Sequence, residues 1–136
     1  MAYKYSSSFQ ILKDTTEYRL ITTEGIENIE VEGRQILKIN PKAIQTLAHA
    51  AMKDISFFLR KSHLAKVAAI LDDPEASDND RYVAATLLRN SIEAAKGILP
   101  TCQDTGTAIV MGKKGDLVWT EGDDAENLSI GIQKTY

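Results

Sequence analysis

Three prolines divide the middle of the sequence into segments that can each form one helix. Asn40 followed by Pro41 is typical of a helix start, because asparagine caps the first turn and proline suits the first helical position. A proline within a helix removes a hydrogen bond and disfavours helical geometry just before it, so Pro74 and Pro100 end the patterns that precede them. The sequence therefore predicts three successive helices between residues 40 and 100.

Apolar residues in these segments recur every three or four positions, which indicates one buried face for each helix. The helices are predicted over about 41–60, 62–72 and 77–96. Ser62 is the predicted cap of the second helix. Ser77, with an acid three residues later, resembles a capping box at the start of the third.

Strand-like runs lie on both sides of the helical region. Residues 18–21 form one short β-like run, and a hairpin is predicted over about 29–39 around the turn signal Glu32-Gly33. After the third helix, residues 107–111 and 116–120 flank two glycines and two lysines, a pattern that predicts a second hairpin.

The two ends of the chain differ in character. Residues 1–16 are rich in hydroxyls and are predicted to be a loosely held arm. Asp123 or Asp124 can cap a last helical segment, and the sequence halts in mid-pattern at Tyr136. The predicted fold class is α+β and mainly helical, with three central helices, an N-terminal β-hairpin and a second hairpin after the loop that contains Cys102.

Composition narrows the function classes. The chain has 136 residues, 43% of them hydrophobic, and a formal net charge of −3, which gives no reason to expect a nucleic-acid or membrane partner. No apolar run is long enough to span a bilayer, and the polar N-terminus does not resemble a secretory signal. A single cysteine cannot form an internal disulfide, which fits a cytoplasmic location.

The loop over 99–108 holds the side chains best suited to chemistry. Cys102, Gln103 and Asp104 stand between a proline and a glycine, where a helix ends and a β-like run begins. The residues alone leave Cys102 open to three interpretations: a small buried hydrophobe, a nucleophile, or a ligand of a soft metal or an iron–sulfur cluster.

Other motifs give weaker evidence of function. Asp104-Thr105-Gly106 also matches the aspartic-protease triplet, but that fold is all-β and about half of this sequence has helical patterning. Gly106 alone is far short of a phosphate-binding loop. His49 and His63 have no partner at metal-ligand spacing, so both are expected to be structural or solvated.

The loop over 99–108 resembles the signature of class I fumarate hydratases, which are oxygen-sensitive iron–sulfur hydro-lyases. Further segments resemble the N-terminal region of that family, so the resemblance covers nearly the whole chain. These segments are 14–18, 33–38, 73–80, 88–91, 94–97 and 112–115.

The resemblance implies reversible hydration of fumarate to (S)-malate on a 4Fe-4S cluster that three cysteines hold, with one iron open to substrate. By position, Cys102 corresponds to the first cluster ligand. Gln103 and Asp104 correspond to residues that contact the dicarboxylate substrate, and Asp104 also to a group in proton transfer.

Members of the family run to several hundred residues, with two more cluster cysteines and a C-terminal domain that binds substrate. Residues 1–136 are therefore expected to be a partial N-terminal domain, inactive and without a cluster on its own, of a parent enzyme that is a homodimer. Two alternatives stay open. One is a fragment or subunit of a related tartrate or mesaconate hydro-lyase, and the other is a non-catalytic interaction module.

Overall fold

A computed structural model describes residues 17–102 and 106–136, and within them the chain forms a three-stranded sheet and four α-helices. In chain order the elements are β1 (Ile26–Val31), β2 (Arg34–Ile39), α1 (Pro41–Phe57), α2 (Lys61–Ala69), a 3-10 turn (Ile70–Asp72), α3 (Asp78–Ala94), β3 (Val118–Thr120) and α4 (Asp124–Gln133). The predicted α+β class, mainly helical with three central helices, is confirmed. The predicted arm over 1–16 lies outside the described residues.

The predicted N-terminal hairpin is formed by β1 and β2. The strands pair antiparallel, with Ile29 opposite Ile36. Glu32 and Gly33 make the two-residue turn with φ values of 50° and 76°, the positive values that a type I′ turn requires. Gly33 adopts this conformation freely, whereas the Cβ of Glu32 makes it unfavourable there.

The predicted second hairpin is wrong. Residues 107–111 form no strand, and within 116–120 only Val118–Thr120 does. This strand pairs in parallel with β2, and the Leu37 N–H donates to the Leu117 carbonyl at 2.9 Å. One edge of β2 pairs with β1, and the backbone donors and acceptors along its other edge are available to β3. A strand over 107–111 would have to pair with the far side of β3 and would itself leave an unpaired edge.

The predicted β-like run over 18–21 is also wrong, since this segment has no strand pairing. The Arg19 guanidinium donates to a carboxylate oxygen of Asp54 on α1 at 2.8 Å. Tyr18 and Leu20 are exposed on either side of it. The segment is therefore attached to a helix and not to the edge of the sheet.

Helix α1 starts as predicted. The Asn40 side-chain oxygen accepts from the Ala43 N–H at 2.9 Å, and Pro41 occupies the first helical position. The helix ends at Phe57, because the backbone of Phe58 is extended.

Ser62 does not cap α2, which corrects the prediction. The Arg60 carbonyl already accepts from the N–H groups of His63 and Leu64, at 2.9 and 3.0 Å. The helical turn therefore begins one residue before Ser62, which lies inside the helix. Arg60 occupies the cap position without a side-chain capping bond.

The capping box of α3 is confirmed. The Asp80 N–H donates to the Ser77 hydroxyl oxygen at 3.2 Å, and the Ser77 N–H donates to the Asp80 carboxylate at 2.9 Å. The Ser77 hydroxyl also donates to this carboxylate, and both bonds hold the pKa of Asp80 below its ordinary value. Helix α3 ends at Ala94, two residues earlier than predicted.

Helix α4, which the sequence also predicts, packs along α1. Asp123 is its N-cap and accepts from the Glu126 N–H at 3.0 Å. Gly131 is buried where the two helices meet. The buried apolar residues lie in β2, α1 and α3, and they are Ile36, Ala43, Ile44, Ala48, Met52, Ala84 and Ala94. In the described parts of the chain, no helix has the length and apolarity to cross a membrane.

Candidate functional site

The Cys102 turn, residues 101–102, follows the end of α3 and a short run of exposed residues. The last carbonyls of α3 are used by the residues that follow it, since the Gly97 N–H donates to the Ala94 carbonyl at 2.9 Å. Ile98 and Leu99 are exposed, at 80% and 71%. The chain then packs back against the protein at Thr101, which is only 3% exposed.

Two consecutive backbone N–H groups donate hydrogen bonds to two different helices and so fix this turn. The Thr101 N–H donates to the Ser56 carbonyl near the end of α1 at 2.8 Å. The Cys102 N–H donates to the side-chain oxygen of Asn90 on α3 at 3.0 Å. Ser56 is itself buried, and its hydroxyl donates to the Met52 carbonyl at 2.9 Å. The backbone at Cys102 is therefore held by the packed part of the fold.

Cys102 itself is a free, exposed cysteine. The interpretation of Cys102 as a small buried hydrophobe is wrong for this chain, because the side chain is accessible while its backbone is anchored. An accessible thiol on an anchored turn is suited to binding a soft metal or reacting with a small molecule.

Gln103 and Asp104, the predicted substrate-binding and catalytic residues, lie outside the described residues. Their assigned roles stay predictions. Over the described ranges 17–102 and 106–136, no group of three or more His, Cys, Asp or Glu side chains could hold a metal ion.

The two histidines differ in their surroundings, and the prediction that both are structural or solvated stays a prediction. His49 lies between α1 and the end of the chain, where its Nδ1 is 3.0 Å from the Thr135 hydroxyl oxygen. That hydroxyl also donates to the His49 carbonyl at 3.3 Å. His63 is exposed on α2.

The segment that leaves the loop is fastened at its far end. The Lys114 ammonium donates to the Thr120 hydroxyl at 2.9 Å and to the Asp124 carboxylate at 2.6 Å. The hydrogen bond from Lys114 is the main cause that holds the pKa of Asp124 below its ordinary value. The lysine of the predicted turn thus links the segment to the first turn of α4.

A separate cavity of about 530 Å³ lies between α2, the 3-10 turn and the first half of α3. It has apolar and acidic walls and does not include Cys102 or Asn90. Its lining includes Val67, Ile70, Asp73, Glu75, Asp80, Val83 and Leu87.

Sequence reasoning missed the contribution of Asn90. A signal was present, because Asn90 occupies a position on the apolar stripe of α3 with Val83, Leu87 and Ala94. A polar amide on such a stripe is a candidate for a specific hydrogen bond. The partner, twelve residues further along the chain, can be identified only from the fold.

Comparison with known proteins gives a consistent result. The family model described as Fumarate hydratase (Fumerase) matches residues 45–136. The chain is 55% identical over 132 residues to the anaerobic class I fumarate hydratase of Escherichia coli K12, and 54% identical over 134 residues to the aerobic class I enzyme of the same strain. It is 57% identical over 111 residues to fumarate hydratase 2 of Leishmania major.

These alignments cover 97%, 98% and 82% of this chain but 24%, 24% and 20% of the respective relatives. The chain therefore spans about a quarter of the length of the Escherichia coli enzymes. The matched range 45–136 includes both anchors of the Cys102 turn, Ser56 and Asn90.

Proposed function

The chain belongs to the class I fumarate hydratase family, and from this membership we propose that residues 1–136 are a partial N-terminal domain of an iron–sulfur hydro-lyase. The parent enzyme hydrates fumarate reversibly to (S)-malate. The observation that carries the proposal is the identity of 54–55% to two class I fumarate hydratases over nearly the whole chain.

Cys102 fits one ligand of a 4Fe-4S cluster. Its thiol is exposed, its backbone is fixed at two points, and thiolate sulfur is the ligand that iron–sulfur clusters use. When bound, a cluster with one iron free of protein ligands supplies Lewis-acid chemistry. One thiol cannot hold the cluster alone, so the other ligands would come from the rest of the parent enzyme, and this chain by itself is expected to be inactive.

Gln103 and Asp104 follow Cys102 directly in the sequence, and the proposed function gives both residues a role beside this ligand. The Gln103 amide can donate to one carboxylate of a dicarboxylate substrate. The Asp104 carboxylate can bind the same substrate as a hydrogen-bond acceptor and exchange a proton with it as an acid–base group. These two residues and Cys102 make one corner of the active site.

Exposed apolar side chains supply a second line of support for a larger parent. Several are more than 70% exposed on the segments on either side of the Cys102 turn, namely Ile98, Leu99, Ile109 and Met111. Large exposed apolar surface is typical of regions that contact other protein. We propose that the C-terminal part of the parent enzyme covers them, and that the parent is a cytoplasmic homodimer.

The test is replacement of Cys102 in the parent enzyme. After anaerobic reconstitution, Cys102→Ser should bind less iron and lose fumarate hydration, whereas Ser62→Ala, at an exposed position of α2, should retain both. Full cluster content and full activity in Cys102→Ser would refute the ligand assignment. Assays with fumarate, tartrate and mesaconate distinguish fumarate hydratase from a related hydro-lyase, and turnover by the 136-residue chain alone would contradict the partial-domain proposal.

A further inference from the structure

Asn90 is a half-buried polar residue of α3, and its side chain binds the Cys102 turn. The side-chain oxygen accepts from the Cys102 N–H at 3.0 Å across twelve residues of sequence. The neighbouring stripe positions Leu87 and Ala94 are apolar. These two neighbours offer no side-chain acceptor, so among the three positions only Asn90 can accept from the Cys102 N–H.

The bond to Asn90 acts together with the bond to α1. The Thr101 N–H is bound by the Ser56 carbonyl at 2.8 Å, and Thr101 is buried. Removing this first bond would require a change in the α1 backbone, because its acceptor is a main-chain carbonyl. The second bond depends on one side chain. Asn90 is thus the part of the anchor that a point substitution can remove.

The N–H of a residue and its Cβ are attached to the same Cα atom, so fixing the N–H at Cys102 restricts the direction in which the thiol leaves the chain. A cluster ligand must be held in a defined direction, and residues outside the ligand set commonly do this. We propose that Asn90 is a positioning residue, which orients Cys102 for cluster binding. This inference rests on the proposed function.

The first test uses the 136-residue chain, which has a single cysteine. Labelling with ¹⁵N-cysteine gives one amide signal, that of Cys102, and its exchange with solvent can be followed by NMR. We expect measurable protection in the wild type and exchange at least tenfold faster in Asn90→Ala. Asn90→Asp, which keeps an acceptor oxygen, should restore most of the protection. Asn79→Ala, the same replacement at an exposed position of α3, should leave it unchanged.

Exchange of the wild-type Cys102 amide at the rate of an unstructured peptide would overturn the proposal without the need for any variant. Equal exchange in the wild type and Asn90→Ala would do the same. If Asn90→Ala does not fold, Asn90→Asp decides, because loss of protection in a folded Asn90→Asp protein contradicts a role for the acceptor oxygen.

The second test uses the reconstituted parent enzyme and measures iron loss to a chelator. Asn90→Ala should lose iron several-fold faster than the wild type, and Asn90→Asp should lose it more slowly than Asn90→Ala. Comparison with Cys102→Ser separates the two proposals. If Cys102→Ser lacks the cluster while Asn90→Ala loses iron at the wild-type rate, the positioning role fails and the proposed function stands. A full cluster in Cys102→Ser means that the proposed function itself has failed.

Discussion

Gly131 lies where α4 packs against α1, and replacing it with alanine tests that contact. A Cβ atom at this position would lie 2.6 Å from the Ala48 Cβ and even closer to the Gln45 carbonyl oxygen. Ordinary contacts between carbon atoms are about 3.5–4.0 Å, so the helices would have to separate by roughly 1 Å. Neither neighbour can rotate away, because one is main chain and the other is a Cβ.

The expected cost follows from these contacts. Overpacking of a close contact costs about 1–3 kcal/mol, and the rigid neighbours here favour the upper end of that range. Separation of the helices would also stretch the hydrogen bond from the Gln45 amide to Asn127, now 2.9 Å long, which contributes about 1 kcal/mol. Alanine offsets about 1 kcal/mol of this through its higher helix preference. We therefore expect Gly131→Ala to lower the free energy of unfolding by about 2–3 kcal/mol.

Urea unfolding of the 136-residue chain, followed by circular dichroism, measures this change. With a slope of roughly 2 kcal/mol per molar urea, the midpoint should fall by at least about 1 M. Gly112→Ala is the matched control, because a Cβ there meets no atom within 4 Å, and its midpoint should stay close to that of the wild type. A wild-type midpoint for Gly131→Ala would refute the close packing of α4 on α1.

Three further predictions concern single side chains. Glu32 occupies the left-handed region at φ 50°, which asparagine tolerates better than glutamate, so Glu32→Asn should stabilise the chain by about 1 kcal/mol in urea unfolding. The same change at Glu27, in β1, should not stabilise the chain. Equal effects of the two substitutions would contradict the turn geometry. Lys114 holds the pKa of Asp124 in the folded chain below its ordinary value of 3.8. The ionised carboxylate therefore stabilises the fold above pH 3.8, and this stability is lost as the pH falls through the lowered pKa of the folded state. The urea midpoint of Asp124→Asn should consequently fall less in acid than that of the wild type, and parallel pH profiles would contradict the interaction. In the parent enzyme, Asp104→Asn should lower kcat for fumarate roughly 100-fold or more with the cluster retained, and an unchanged kcat would exclude a proton-transfer role.

Local signals predicted the parts of the fold that depend on neighbouring residues. The capping box of Ser77 and Asp80, the start of α1 at Pro41 and the hairpin turn at Gly33 each form from contacts within a few residues. The second hairpin could not be predicted in this way. Strand β3 pairs with β2 across about 80 residues of sequence, and nothing in the apolar run over 107–111 indicates which edge is available.

The candidate site likewise combines residues that the sequence identifies with residues that only the fold brings together. Family resemblance directed attention to Cys102, Gln103 and Asp104, because those residue types follow one another in a recognisable signature. The anchors of the turn, Ser56 and Asn90, come from two helices that the chain brings together only on folding. One of them acts through its main-chain carbonyl, which no sequence pattern can indicate.

The central claim is that Cys102 is a cluster ligand near the start of a longer class I fumarate hydratase. The most direct measurement is a crystal structure of that enzyme after anaerobic reconstitution. We predict the Cys102 Sγ atom at bonding distance from an iron of a 4Fe-4S cluster, with the Cys102 N–H still donating to Asn90. A complete cluster held by other ligands, with the Cys102 thiol free, would contradict the claim.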